Sequence, residues 1–473
     1  MAAVVHHPIG ERMEPARFSI RQTQQLITGQ AGLVLAGQAL SRFAELPQQI
    51  DPQFPVRDGA LTNSDVLKSY IGLLCQAKSD FEAIEGYRED AFFPAALGLA
   101  GVPSASRLRQ RLDELADAEA LEAVDGLSER LLARSPAALT PTETGHVPLD
   151  VDVFVMDNAQ TAKEGVSRTY AGVDGYAPIG AYLGEEGYCV GLELREGTAH
   201  SAHEADHALE RALGRSARLT AAPVLVRMDA GFDAGKCFAS IEQASRARQA
   251  NSSERIDALV KWNPRAEGAQ PVIEAALADA TLVWAHPREG KRVAVFEDTL
   301  ERQGPDGDTM TLRRVIELTE RTSDRHGQRY LVPDYELHGY LTSLPAEATD
   351  AATVIALYNA HGTHEQFHSE IKTDLDLERL PSGKFATNDL VLSLAGVAYN
   401  LLRLIGQNAL TGDDAPPRHR AKRRRLRTVI QEMMYVAAAI AHHARERFLV
   451  FGRHCPALAC FQRLHNEWHA TPT

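Results

Sequence analysis

The stretch Val147-Pro148-Leu149-Asp150-Val151-Asp152-Val153-Phe154-Val155-Met156 alternates apolar side chains at Leu149, Val151, Val153 and Val155 with acids at Asp150 and Asp152. Successive side chains of a strand point to opposite faces. The alternation therefore predicts a strand with one buried apolar face and two carboxylates on the other. Downstream, residues 179–183 and 188–194 are two more strand patterns, split by Gly184-Glu185-Glu186-Gly187, a hairpin signal. A helical pattern follows at about His203 and runs to Leu213. Pro223-Val224-Leu225-Val226-Arg227-Met228 then reads as a buried strand that stops at Asp229, before Gly231. The order strand, strand, strand, helix, strand describes an α/β unit over residues 146–240.

The flanking regions read differently. Residues 1–145 carry helical periodicity at 64–77 and at 105–118, the latter after Val102-Pro103 with Ser104 placed as N-cap. A helix, a Gly/Pro turn and a second helix bearing Arg107, Arg109 and Arg111 suit a helix-turn-helix in an N-terminal DNA-binding domain; a plain helical bundle with a solvated basic face fits as well. Residues 241–349 hold strand-like runs at 258–262, 281–285, 292–296 and 311–318, with turn residues such as Gln303-Gly304-Pro305-Asp306-Gly307 between them, and read as a β-rich insertion. Residues 350–410 return to helix, at 351–372 and 387–409, and 411–473 read as a basic helical C-terminal region.

Composition bounds the function. A net charge of −13 excludes a uniformly basic nucleic-acid-binding surface, so any phosphate contact must come from a local patch. The five cysteines are odd in number and none are spaced Cys-x-x-Cys, which argues against a disulfide framework or a Cys-rich zinc site and fits a reducing cytoplasm. Residues 1–12 lack the apolar run of a signal peptide, and no stretch of about 18 apolar residues is apparent, so no membrane span is expected.

The acids carry the chemistry. Asp152 lies within one predicted strand and Asp229 at the end of another. If the strands pair, the carboxylates converge, and two such charges repel unless a hard divalent cation with oxygen ligands neutralises them. A third acid comes from a predicted helix on which Tyr358, His361, Glu365 and Lys372 are spaced three, four and seven apart and so share one face. A carboxylate there completes a metal site, while a tyrosine hydroxyl and a lysine ammonium suit phosphate oxygens.

These residues resemble the transposases of bacterial insertion sequences with a DDE triad on an RNase H-like fold. One subgroup has tyrosine, then arginine after two residues, glutamate after three more and lysine after six more. Here that signature reads Tyr358, His361, Glu365 and Lys372, departing at His361, where the family has arginine. Leu149-Asp150-Val151-Asp152 resembles the first-aspartate strand, Gly175-Tyr176-Ala177-Pro178 the entry to the second strand, and Arg227-Met228-Asp229-Ala230-Gly231-Phe232 the second-aspartate motif. Asn388 and Ala398-Tyr399-Asn400-Leu401-Leu402 resemble the C-terminal helix. The resemblance spans about residues 60–450. It implies an α/β, RNase H-like catalytic core with a β-rich insertion, flanked by an N-terminal helical domain and a C-terminal helical tail. It also implies cut-and-paste transposition by metal-dependent strand cleavage and transfer, with Asp152, Asp229 and Glu365 holding two Mg2+ ions (Mn2+ as substitute) about 3.5–4 Å apart. The implied partners are terminal inverted repeats and target DNA, bound by a homodimer on paired ends in the nucleoid of the cytoplasm. Asp150 shares a strand face with Asp152, so geometry alone leaves both open as first ligand; the family's spacing favours Asp152.

Two other readings compete. His364-Glu365-Gln366-Phe367-His368 is a literal HExxH, the zinc metallopeptidase signature, although the third-histidine continuation is absent. A catalytically inactive DNA-binding relative is the non-enzymatic alternative. For DNA contacts, the segment Arg418 to Arg427, with Arg423, Arg424 and Arg425 at its heart, offers a dense cationic cluster, and the resemblance implies that Trp262 or Trp284 stacks on a flipped base, although a buried core tryptophan is the commoner outcome for either.

Overall fold

The alternating stretch becomes the middle of a large sheet in the computed structural model, which describes residues 20–57, 61–199, 205–251, 253–265, 267–444 and 446–471. The opening residues read for a leader and the predicted helix start at His203 lie outside the described residues. Strand β1 (Val147–Val153) pairs antiparallel with β2 (Ile179–Leu183), which pairs antiparallel with β3 (Tyr188–Glu193). Helix α1 (Ala205–Leu219) leads to β4 (Val224–Met228), parallel to β1, and α2 (Gly235–Ala250) leads to β5 (Ile256–Lys261), parallel to β4. All five β4 side chains are buried, as expected for a central parallel strand covered on both faces.

The β-rich segment extends this sheet rather than standing apart from it. Strands β6 (Trp284–Arg288), β7 (Lys291–Gln303), β8 (Thr309–Ser323) and β9 (Arg329–Thr342) form an antiparallel meander. It is joined to β5 through Tyr340↔Lys261, Leu341↔Val260 and Thr342↔Leu259. The full order is β6-β7-β8-β9-β5-β4-β1-β2-β3. The boundary expected at residue 241 falls inside α2, and β5 belongs with β4. A short apolar run reads the same in a core strand as in an insertion; pairing decides which it is.

Two further expectations are corrected. The C-terminal region is not helical throughout: Ala438–His443 and Glu446–Phe451 form a hairpin, and the first of them pairs with Leu26–Thr28 at the other end of the chain. Its alanine-rich lead suits a helix locally, and the distant strand overrides that propensity. Helix α5 (Phe385–Ala409) is also long and apolar enough, by composition, to cross a membrane, but 94% of its apolar window is buried inside the protein, so it acts here as a core axis. Helices Leu33–Arg42, Asn63–Leu74 and Ala118–Arg134 pack against it. One hydrophobic cluster therefore runs from Ala31 to Trp468, and the N-terminal helices share it. Ser104 caps Ala105–Leu115 by accepting from the Arg107 N–H at 3.3 Å.

The β2–β3 hairpin turns at Gly184 and Gly187, both with positive φ. A Cβ at Gly187 would sit 2.1 Å from the Phe367 ring. Gly187→Ala thus combines left-handed strain with overpacking and is expected to cost about 2–5 kcal/mol, measurable as a lower urea midpoint with an unchanged m-value.

Candidate active site

The parallel register of β1 and β4 pairs Asp150 with Arg227 and Val151 with Met228. The next residue on each strand is an acid: Asp152 on β1, and Asp229 directly after β4. Both carboxylates therefore emerge at the carboxyl edge of adjacent parallel strands, where open α/β sheets form crevices. Gly180, the cross-strand partner of Asp152 on β2, has no side chain to cover it.

Local hydrogen bonds hold the two acids. Asp152 Oδ1 accepts from the Val153 N–H at 2.8 Å, and its Oδ2 lies 2.7 Å from His364 Nε2. Asp229 Oδ1 accepts from the Gly231 N–H at 2.9 Å, capping the short turn Ala230–Phe232. Burial, and next the negative charge of Asp152, push the Asp229 carboxyl above its ordinary range. Asp152 shifts the other way: burial opposes ionisation, but the His364 hydrogen bond and the neighbouring imidazoles outweigh it.

The third acid comes from a segment that is not one regular helix. Residues 351–374 run through α3 (Ala351–Asn359), a 3-10 turn (Ala360–Thr363), α4 (His364–Ser369) and a π turn (Glu370–Asp374). The changes of winding break the single face expected for Tyr358, His361, Glu365 and Lys372. Glu365, in the first turn of α4, is exposed and makes no hydrogen bond or ion pair among the described residues. His361 turns inward to 2% exposure, with Nδ1 2.8 Å from Asp150 Oδ1, so its expected role in DNA contact is corrected to a buried strut. Tyr358 packs on Tyr340 and His361; burial, and then Asp229 and Asp152, push its hydroxyl upward. Lys372 Nζ donates to the Val155 carbonyl at 3.1 Å, just past β1.

One residue that the sequence did not point to reports on all three acids. Tyr170, in the connection between β1 and β2, donates its hydroxyl to the Val153 carbonyl at 3.2 Å. Burial, then Asp152, Asp229 and Glu365 in turn, raise its pKa. The potential donor atoms that lie within 4.8 Å of one another are those of Asp152, His364 and His368; among the described residues that cluster includes neither Asp229 nor Glu365. Tyr170 sits in an irregular stretch with no periodicity, which gave the sequence no handle on it.

Two buried ion networks position these groups. Asp150 is not at the open edge: Arg227 grips it with Nε and Nη2 at 2.6 and 2.8 Å, and Arg227 Nη1 donates to the Leu357 carbonyl at 2.9 Å. With its oxygens committed to Arg227 and His361, Asp150 has little capacity left for a cation, whereas Asp152 is partly accessible at the sheet edge. Glu370, fully buried in the π turn, meets Arg403 of α5 and the Tyr399 hydroxyl, the latter at 3.2 Å, and accepts from the Leu426 N–H at 3.2 Å.

The expected DNA contacts separate by burial. Arg424 is 4% exposed and donates to the Leu410 and His419 carbonyls, so it is a structural residue rather than a DNA contact. Trp262 is 2% exposed, bonded to Glu267 and covered by Arg314, which leaves no face for a base. Trp284 is half-buried beneath Arg292. Arg423 donates to the Glu185 carbonyl and lies over the Phe367 ring; Arg425 pairs with Asp374 on an exposed flank. Arg418, Arg420 and Arg427 are exposed.

Asp150 has a folded pKa far below its ordinary value: burial opposes ionisation, but Arg227 and then His361 outweigh it. The unfolded chain therefore takes up the proton first as pH falls. The pair's contribution is complete above about pH 5 and is lost as pH drops through the unfolded value of about 3.9 and below. Arg227→Met should lower the unfolding free energy by about 3–5 kcal/mol at pH 7, with the difference shrinking below about pH 4, read by denaturant titration at several pH values.

The chain matches the family described as Transposase DDE domain group 1 over residues 17–261 and 307–473. The unmatched interval opens directly after β5 and closes in the turn between β7 and β8. Among solved structures, the chain is similar to the cryo-EM structure of a piggyBac transposase synaptic complex with hairpin DNA, at 10% identity and a TM-score of 0.41, covering 93% of this chain and 82% of that one. No curated protein matches the chain.

Proposed function

The chain belongs to the DDE transposase family, and from that premise we propose that Asp152, Asp229 and Glu365 are its catalytic triad, acting in metal-dependent cleavage and transfer of DNA strands. The observation that carries this reading is the parallel register of β1 and β4, which brings Asp152 and Asp229 to the same carboxyl edge, while Glu365 enters by its place in the family's spacing. The strand order β3-β2-β1-β4-β5, with the first and second acids on its central pair, supports an RNase H-like core. The match gap after β5 supports a β-rich insertion there.

Three carboxylates, one of them held above its ordinary range by burial and its neighbour's charge, make a donor set that suits a pair of Mg2+ or Mn2+ ions. Such ions, when bound, activate the attacking hydroxyl and stabilise the leaving oxygen of a phosphodiester. The protein's own residues do the placing. β1 and β4 fix two carboxylates in register, and the 351–374 segment delivers the third. The Tyr358 and Tyr170 hydroxyls and the Lys372 ammonium border the same edge and are suited to phosphate oxygens. His361 stands where the family has arginine, and it serves the buried Asp150 instead. In this reading the substrate is the pair of element ends, joined by a dimer in a DNA complex.

Asp152→Asn, Asp229→Asn and Glu365→Gln are each expected to lower Mg2+-dependent nicking of DNA carrying the terminal repeats that flank the gene by on the order of 10³-fold or more, while gel-shift binding persists. A folded variant that nicks at the parental rate would sink the triad. A parental chain that binds these ends without ever nicking them would point to the inactive relative.

DNA binding by the exposed arginines has its own signature. Arg418→Gln with Arg420→Gln should weaken binding across sequences and flatten the log K against log salt slope by about 1 for each phosphate no longer neutralised, whereas Arg424→Gln should act on stability instead.

A further inference from the structure

We propose that Asp152, His364 and His368 form a second metal site, for a borderline transition-metal ion such as Zn2+ or Co2+, that shares only Asp152 with the carboxylate triad. The proposal rests on its own geometry and does not require the triad to be catalytic.

The donor atoms of these three side chains all lie within 4.8 Å of one another. A tetrahedral ion with ligand distances near 2.0–2.2 Å sets its donors about 3–3.5 Å apart. The donors lie within 4.8 Å of one another, with Asp152 and His364 at 2.7 Å, so an ion would be seated by moving these two apart. His364 and His368 are one helical turn apart on α4 and present both rings to the same side, facing the β1 edge.

A second observation points to a ligand. His368 is 5% exposed, yet its Nε2 is buried without any hydrogen-bond partner. A buried polar atom left unpaired costs about 1–3 kcal/mol, and native proteins rarely leave one so. Phe154 stacks on the His368 ring at 4.3 Å, and Tyr182 lies 5.5 Å away, which fixes the ring's plane.

The neighbouring imidazole is prepared in the manner of a metal ligand. His364 Nδ1 lies 2.5 Å from the His361 carbonyl, which can only accept, so Nδ1 carries a proton. The other nitrogen, Nε2, lies 2.7 Å from the Asp152 carboxylate, which also only accepts, so in the metal-free site it carries a proton that an incoming ion displaces. A backbone carbonyl that sets the tautomer is the usual outer shell of a metal-bound histidine. Asp152 is itself steadied by the Val153 N–H. Two imidazoles and one carboxylate favour borderline ions over Mg2+, which prefers oxygen. The HExxH motif is thereby given a metal role with Asp152 as third ligand, and Glu365 stays free for the triad.

The full chain, stripped of metal by chelator dialysis and kept free of DNA, is titrated with Co2+ alone and followed by its visible d–d absorption, then with Zn2+ by calorimetry. One ion per chain is expected. His368→Gln and His364→Gln should each weaken it by on the order of 10²-fold. Thermal melts of the metal-free variants show which are folded; should His368→Gln fail to fold, His364→Gln, nearer the open edge, carries the comparison. No Co2+ band in the parental chain, or parental affinity in the folded histidine variants, overturns the site. The two readings fail separately. Co2+ binding together with undiminished nicking by Glu365→Gln removes the triad and keeps this site, while nicking that depends on Glu365 in a chain that binds no Co2+ does the reverse.

Discussion

A buried carboxylate between an arginine and a histidine ties the three parts of the site together. Asp150 stands on β1, Arg227 on β4 and His361 on the 3-10 turn that follows α3, and all three are nearly inaccessible to solvent. Arg227 also reaches the last turn of α3 through the Leu357 carbonyl. An unpaired charge at such depth is costly, so each partner constrains the other two. The outcome is geometric: with Asp150 pinned, the residue two places on, Asp152, is presented at the sheet edge, and the residue two places after Arg227, Asp229, is presented beside it. Polar groups that look alike along the strand are thereby divided into one buried strut and one carboxylate at the sheet edge.

The Glu370–Arg403–Tyr399 cluster does for the far end of the same segment what Asp150 does for the near end. It joins the π turn to the core helix α5, and through Arg403 to the Arg424 carbonyl it joins the C-terminal basic segment as well. Glu365 and the two histidines of α4 lie between these anchors. Their short helix is held at both ends by buried ion pairs, which gives preorganisation without using the side chains that face the edge. The irregular winding of 351–374 is the geometric consequence, since each anchor demands a direction that a uniform α-helix would not supply.

The charge balance follows the same logic. The chain is acidic overall, and many of its arginines are spent inside the protein on carboxylates and carbonyls. In the C-terminal segment Arg424 is buried and Arg423 half-buried, while Arg418, Arg420, Lys422, Arg425 and Arg427 are exposed. A cluster that looks like one DNA-binding unit on paper is in fact part clamp and part surface.

The sequence by itself determined the period-two strands, the Gly-Glu-Glu-Gly hairpin and the strand order around Asp152 and Asp229, because backbone periodicity and turn chemistry are local. It also held the family signature, since that signature is a matter of spacing. Tertiary structure alone decided the rest. Whether 256–261 completed the core or opened an insertion depended on pairing with β4, and whether 438–443 was helix or strand depended on Leu26–Thr28. The same holds for the burial of Asp150 against Arg227 and His361, the inward turn of His361, the burial of Trp262 and Arg424, and the contact of Tyr170 with the Val153 carbonyl. Each depends on contacts between residues far apart in the chain, and burial is fixed by what packs on a side chain rather than by its neighbours in sequence.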